Sequence, residues 1–432
     1  MRIRFTATLL ALILLPACAS TEPTSSVVVT DDIDRFWETY DRVTALTDSA
    51  EQVRQLEALY IQRGTPGLEA MIARRGYTAA DYVSAIQSYP RFWEAMRPRM
   101  ERADDSADEI ADGIEGFRDL YPALRPARVY FTVGALQTPG MTLEDIVFIG
   151  SELALADADV PTDEFPESFG HLSGYFATEP AEAIAFLNVH EYVHTQQGPF
   201  GSDLLTMALQ EGVAEFVADL ATPEPTPTPA IAYGKANETR VREAFKRDMF
   251  GSFVDFWLWS NRPNEFETRD LGYSIGYEIA ERVHAQADDK TQAIADLIEL
   301  DYQDPAAVDA LVEASGYFER PVSELRAEAP RVVRVEGLEG DELAPGRHTL
   351  TFVFSQPMDP AFRSFDYGPL GEDHVLGISE VVGLSDDGRR LTVVVDLAPN
   401  HRHQMTVTSG FRSVDGVRLV PHLVDVRTRD AE

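Results

Sequence analysis

The hydrophobic period of this chain changes along its length, and that constrains the fold more than any other feature. From residue 31 to about 126, apolar side chains recur at spacings of three and four. Ile33, Phe36, Trp37, Tyr40 and Val43 form one stripe, and Val53, Leu56, Leu59 and Tyr60 form another. Such spacing predicts amphipathic helices, with Thr30 or Asp31 as the N-cap of the first, Thr78 as the cap of a later one, and a last helical stretch over 91–120. The β-branched and aromatic runs 128–133 and 146–149 predict strands, with Thr138-Pro139-Gly140 as the turn between them. Helical period returns over 180–197, capped by Thr178, and over 203–220. Thr222-Pro223-Glu224-Pro225-Thr226-Pro227-Thr228-Pro229 then reads as a stiff loop. Beyond residue 330 the pattern is strand-like to the end, as in Leu391-Thr392-Val393-Val394-Val395, which predicts a small β-sandwich. The expected fold class is α+β: a mainly helical domain with a small antiparallel sheet over 128–329, preceded by a helical region over 31–127 and followed by an all-β sandwich over 330–432.

The start of the chain points to export. Met1-Arg2-Ile3-Arg4 is basic, and the apolar run from Phe5 to Leu15 is too short to span a bilayer but suits a signal peptide. Leu15-Pro16-Ala17-Cys18 resembles a bacterial lipobox, although Pro16 departs from the small or polar residue usual there. The resemblance implies a signal peptide over 1–18, a lipid on Cys18, and a membrane tether over 19–30. Ala19 after the cysteine implies the cell envelope at the outer membrane of a Gram-negative bacterium. An ordinary cleaved signal with an incidental cysteine is the alternative. Cys18 is the single cysteine, so no internal disulfide framework exists and the fold must rest on its core. The net charge of −35, from 72 acidic against 37 basic residues, argues against nucleic acid as a partner and against docking on anionic headgroups.

The chemistry is concentrated in His190-Glu191-Tyr192-Val193-His194. Histidines at i and i+4 project from one helix face, so two imidazole nitrogens can share one zinc ion. Glu191 lies beside them, within reach of a water that such a metal would acidify, as a general base. A catalytic zinc needs a third protein ligand and one open position, and no histidine follows closely.

The next helix reads Gln210-Glu211-Gly212-Val213-Ala214-Glu215, which resembles the E-G-x-A element of gluzincin peptidases. The chain is similar, over about 128–300, to predicted zinc-dependent peptidase lipoproteins of that type. The resemblance implies Zn2+ held by His190, His194 and Glu211. It also implies that Glu215, one turn on, orients a ligating histidine, His190 in preference, with Glu215 as the ligand itself left open. Gly212 would allow close packing against the first helix. In zincins the strand before the active-site helix, here 146–149, is the edge that takes up substrate backbone. Leu271-Gly272-Tyr273-Ser274-Ile275-Gly276-Tyr277 resembles a downstream element of the same group, and Tyr273 and Tyr277 become candidates for steadying an oxyanion. Phe354-Ser355-Gln356-Pro357-Met358-Asp359-Pro360 resembles the signature of bacterial Ig-like domains. The expected function is peptide-bond hydrolysis by a zinc-activated water on a peptide or protein substrate. The alternative is a non-catalytic envelope scaffold or adhesion lipoprotein that keeps a structural zinc fold.

Overall fold

The computed structural model describes residues 27–260, 262–338 and 342–430. Cys18, the signal peptide and most of the expected tether lie outside the described residues. The chain is α+β with small sheets. Among the described residues no helix is long and apolar enough to cross a membrane.

The apolar stripes of the first region become helices α1 (Asp31–Thr44), α2 (Ser49–Leu59), α3 (Pro66–Arg75), α4 (Ala79–Ser88), α5 (Pro90–Met100) and α6 (Ala107–Leu120). Phe36, Trp37 and Trp93 from these helices are buried together with Tyr60, the C-cap of α2. Thr78 caps α4 in a reciprocal capping box with Asp81. Thr30 stands at the N-cap of α1 without a capping bond and donates instead to Asp104. The expected single stretch 91–120 is broken by a 3-10 turn over Ala103–Ser106. Its Asp104-Asp105-Ser106 run favours caps and turns over a helix interior.

The first sheet is mixed. Strands β1 (Val28–Val29), β2 (Arg128–Thr132), β3 (Gly140–Leu143) and β4 (Ile146–Gly150) lie in the order β1-β2-β4-β3. β1 and β4 flank β2 in parallel, and only β3 runs antiparallel, against β4. Two expectations change here. Val28 and Val29, assigned to the tether, form an outer strand. The strand over 146–149 is not the edge: its continuous apolar run is buried, as suits an interior strand. The edge on that side is β3, whose side chains are half-buried or exposed.

Short helices α7 (Ser151–Ala154) and α8 (His171–Phe176) lead to α9 (Ile184–His194), which is preceded by a 3-10 turn over Pro180–Ala183. Thr178 does not cap it; its hydroxyl bonds the Tyr175 carbonyl. Helix α10 (Leu204–Ala221) starts at Asp203, whose side chain accepts from Thr206 N at 2.9 Å. Most of α10 is buried, from Leu204 to Ala218 with the exception of Met207, because it packs against α6, α9 and α13 (Leu271–Gln286) at once. α11 (Pro229–Ala236), α12 (Glu238–Asp248), α14 (Lys290–Ile298), α15 (Pro305–Ser315) and α16 (Val322–Glu328) complete the layer. One hydrophobic core runs from Ile33 to Ala329, so the two segments expected over 31–127 and 128–329 share it.

The C-terminal unit has two antiparallel sheets. One is β5 (Val332–Glu336), β6 (Gly346–Phe354), β9 (Arg390–Leu397) and β8 (Ile378–Leu384), in that order. The other is β11 (His422–Arg427), β10 (Arg402–Val407) and β7 (Phe365–Asp366). A second core draws on both sheets and includes Phe354 and Met358 of the Phe354–Pro360 motif. Buried Arg418 ties this unit to the helices. Its guanidinium reaches Asp248 at 2.8 Å and Asp255 at 3.0 Å and donates to the Ser409 carbonyl.

Candidate metal centre

The helical spacing of four brings the two histidine rings of α9 together, with Nε2 atoms 3.2 Å apart. Glu211, from the middle of α10, points at both, and its Oε2 lies 3.4 Å from each Nε2. All three side chains are almost fully buried. Among the described residues these three form the one group of ligand-type atoms close enough to hold an ion together. Zinc bonds of 2.0–2.1 Å at tetrahedral angles require ligand atoms about 3.3–3.4 Å apart. The observed triangle therefore fits such an ion.

Each imidazole also has a polar partner behind it. His190 Nδ1 lies 3.0 Å from Glu215 Oε2, approached obliquely to the N–H direction. His194 Nδ1 lies 2.7 Å from Gln197 Oε1, and Gln197 in turn donates to the Gln210 carbonyl of α10. Partners of this kind on Nδ1 leave Nε2 free to ligate. Glu215 thus takes the position behind His190, and Glu211 is the acid that meets both Nε2 atoms.

Burial alone would lower the pKa of His190, but Glu211 and Glu215 outweigh it and raise it to about 10. His194 is likewise raised, against its burial, chiefly by Glu211. Burial pushes Glu211 up, yet the two histidines hold its carboxyl well below the usual range. The centre is therefore a buried set of acids that demands positive charge.

Glu191 leans the other way, toward the sheet. The Thr142 hydroxyl of edge strand β3 lies 2.7 Å from the Glu191 carbonyl and 3.0 Å from its Oε2. Tyr273 stacks on His190, with ring centroids 6.0 Å apart. Its phenol is pushed well above the ordinary value by burial and then by the charge of Glu211. Tyr273 accordingly stands at the donor group. Tyr277 does not: one helical turn further on, its hydroxyl donates to Asp219 at 2.6 Å. Gly212 packs against α13 and not against α9; a Cβ there would lie 2.2 Å from the Gly276 carbonyl carbon.

Several neighbours carried no signal in the sequence. Phe200 and Trp259 are 45% and 50% exposed beside the site. The Phe200 ring lies 5.6 Å from that of His194 and 6.2 Å from that of Trp259. Trp259, with a left-handed φ of 55°, donates its indole N–H to Tyr273 at 3.0 Å. Both aromatics sit in loops, where periodicity says nothing. The ring contacts among His374, His401 and His403 in the β unit bring no such donor group together.

Neither a protein-family model nor a curated protein matches the sequence. Two solved structures of the surface-layer protein SbsC are similar at 14% and 13% identity. They cover 62% and 94% of this chain, each with a TM-score of 0.19. The chain spans 42% and 46% of their lengths. A superposition that poor carries no argument about fold or function.

Proposed function

We propose that this chain is a zinc-dependent metallopeptidase of the gluzincin type, held in the cell envelope through a lipid on Cys18, with its β unit an Ig-like module. The observation that carries the reading is the triangle of His190 Nε2, His194 Nε2 and Glu211 Oε2, with sides of 3.2, 3.4 and 3.4 Å. Glu191 beside it speaks against a purely structural metal site, which has no use for a base.

A zinc ion held by these three residues would supply Lewis-acid chemistry, polarising the scissile carbonyl and acidifying a water. The protein's own groups account for the rest. Glu191 takes the proton of the attacking water as its oxygen bonds to the carbonyl carbon, and passes that proton to the amine as the C–N bond breaks. Tyr273, whose ring stacks on His190, donates its phenolic hydrogen to the developing oxyanion in this reading. Glu215 and Gln197 hold the imidazoles in register. An extended peptide would pair with edge strand β3 by strand addition.

The test is Glu191→Gln, assayed on a peptide library and for bound zinc. The expected result is an unchanged zinc content with cleavage reduced by at least about 100-fold. Full cleavage by the variant would remove the mechanism. Zinc bound by the wild type with no cleavage of any peptide would favour the scaffold reading instead.

A further inference from the structure

We infer that the proline-rich loop of residues 222–229 is a brace for the metal centre, in which Thr226 positions His190 through Glu215. The inference rests on the reading that His190, His194 and Glu211 hold the metal.

Glu215 is 2% exposed and has two oxygens to satisfy. Oε2 faces His190 Nδ1 at 3.0 Å, and Oε1 accepts the hydroxyl of Thr226. The carboxylate thus spans from the loop to the histidine. Its terminal torsion is soft in isolation, so what grips Oε1 also sets where Oε2 points.

Thr226 is built to grip it. The Thr228 N–H donates to its hydroxyl oxygen at 3.1 Å. That bond occupies a lone pair, and the single hydroxyl proton is left to aim at Glu215. The Thr226 N–H donates to Asp219 Oδ1 at 2.9 Å. Asp219 Oδ2 accepts from Tyr277 of α13, whose ring lies 4.4 Å beneath the Lys235 ammonium of α11. Three acids at successive turns of α10 therefore divide the work along one face. Glu211 meets the donor nitrogens, Glu215 holds His190 from behind, and Asp219 anchors the loop. Pro223, Pro225 and Pro227 fix φ at alternate positions, so little loop entropy is lost in presenting Thr226.

This arrangement also accounts for Tyr277, which steadies the loop through Asp219 and does not touch the donor group. The consequence for the centre is tautomeric. A proton kept on Nδ1, beside the Glu215 carboxylate at 3.0 Å, leaves the lone pair of His190 on Nε2.

The experiment uses the purified full chain and two measurements: zinc affinity by competition with a chromophoric chelator, and the thermal midpoint of the metal-free protein. Thr226→Val keeps the shape and removes the hydroxyl. It is expected to weaken zinc binding on the order of tenfold and to lower the metal-free midpoint, because a buried Glu215 oxygen loses its donor. Thr226→Ser keeps the hydroxyl and should bind like the wild type. In a Glu215→Ala background, Thr226→Val should have no further effect on zinc, because its route is gone.

Unchanged affinity in Thr226→Val, or full additivity with Glu215→Ala, would overturn the inference while leaving the metal centre intact. Should the valine variant fail to fold, Tyr277→Phe, which loosens the loop at one remove, must show a smaller loss of affinity, and no loss there would overturn it equally. A wild-type chain that binds no zinc would overturn the metal centre itself.

Discussion

His190 and His194 present their Nε2 atoms to each other across 3.2 Å, inside a buried pocket shared with Glu211. Two neutral imidazoles with Nδ1 turned toward Glu215 and Gln197 would leave facing lone pairs, which repel unless a cation lies between them. The chain should therefore bind one zinc ion. His194→Ala or Glu211→Ala should weaken it by more than about 100-fold, since loss of a direct ligand should exceed the 10- to 100-fold loss seen for outer partners. Zinc at about 100 times its Kd should stabilise the fold by nearly 3 kcal/mol. Chelator competition and thermal unfolding with and without zinc check both numbers.

Thr142 is the contact between the edge strand and the base. With one side chain it reaches both the backbone carbonyl and the carboxylate of Glu191. Thr142→Val keeps the β-branched shape and removes that hold. We expect kcat/KM to fall about tenfold, since a misplaced general base loses part of its contribution, with zinc affinity unchanged. A variant as active as the wild type would show that Glu191 is positioned by the metal centre alone.

The parts of this architecture that were legible in the sequence are those set by period within one element. His190 and His194 share a face because of helical spacing, and so do Glu211 and Glu215, so their convergence needed only that α9 and α10 pack together. What depended on the neighbouring element was not legible. Ile146–Gly150 reads as a strand, but whether it is an edge depends on Gly140–Leu143, a short segment hidden behind a Pro-Gly turn. Tyr277 resembles Tyr273 in its local sequence, yet one turn of helix takes it away from His190 and its hydroxyl to Asp219. Gly212 announces close packing without saying that its partner is Gly276. Thr226 and Trp259 lie in loops, where no periodicity exists to place them.

The contact of Gly212 with Gly276 makes a stability prediction. A Cβ on Gly212 would lie 2.2 Å from both the Gly276 carbonyl carbon and Tyr277 N. Those are backbone atoms, which cannot swing aside as a side chain could. Gly212→Ala should destabilise the chain by about 1–3 kcal/mol or more. It should also weaken zinc binding, because α10 carries Glu211 and cannot move without it. Gly174→Ala is the control: nothing lies within 4 Å of that Cβ, and the site is helical. There alanine should be neutral or stabilising by up to about 1 kcal/mol. Urea unfolding of the two variants decides it.

The last prediction concerns Glu152, a fully buried carboxyl away from the donor group. It accepts Gly134 N at 2.9 Å and Leu136 N at 3.1 Å, holding the loop that leads into β3. Burial raises its pKa from 4.5 to about 7, against the pull of those backbone N–H groups. A carboxyl raised on folding binds its proton more tightly in the native state than in the unfolded one. Its stabilisation is therefore complete below about pH 4.5 and is lost as pH rises to about 7. A shift from 4.5 to about 7 corresponds to roughly 3 kcal/mol over that window. Glu152→Gln cannot ionise, so its stability should lack this component. Because other groups titrate over the same range, the quantity to measure is the wild-type minus variant difference in unfolding free energy, at pH 5 and pH 8, in metal-free protein. That difference should shift against the wild type at pH 8. Parallel profiles would mean that the loop amides keep Glu152 ionised throughout.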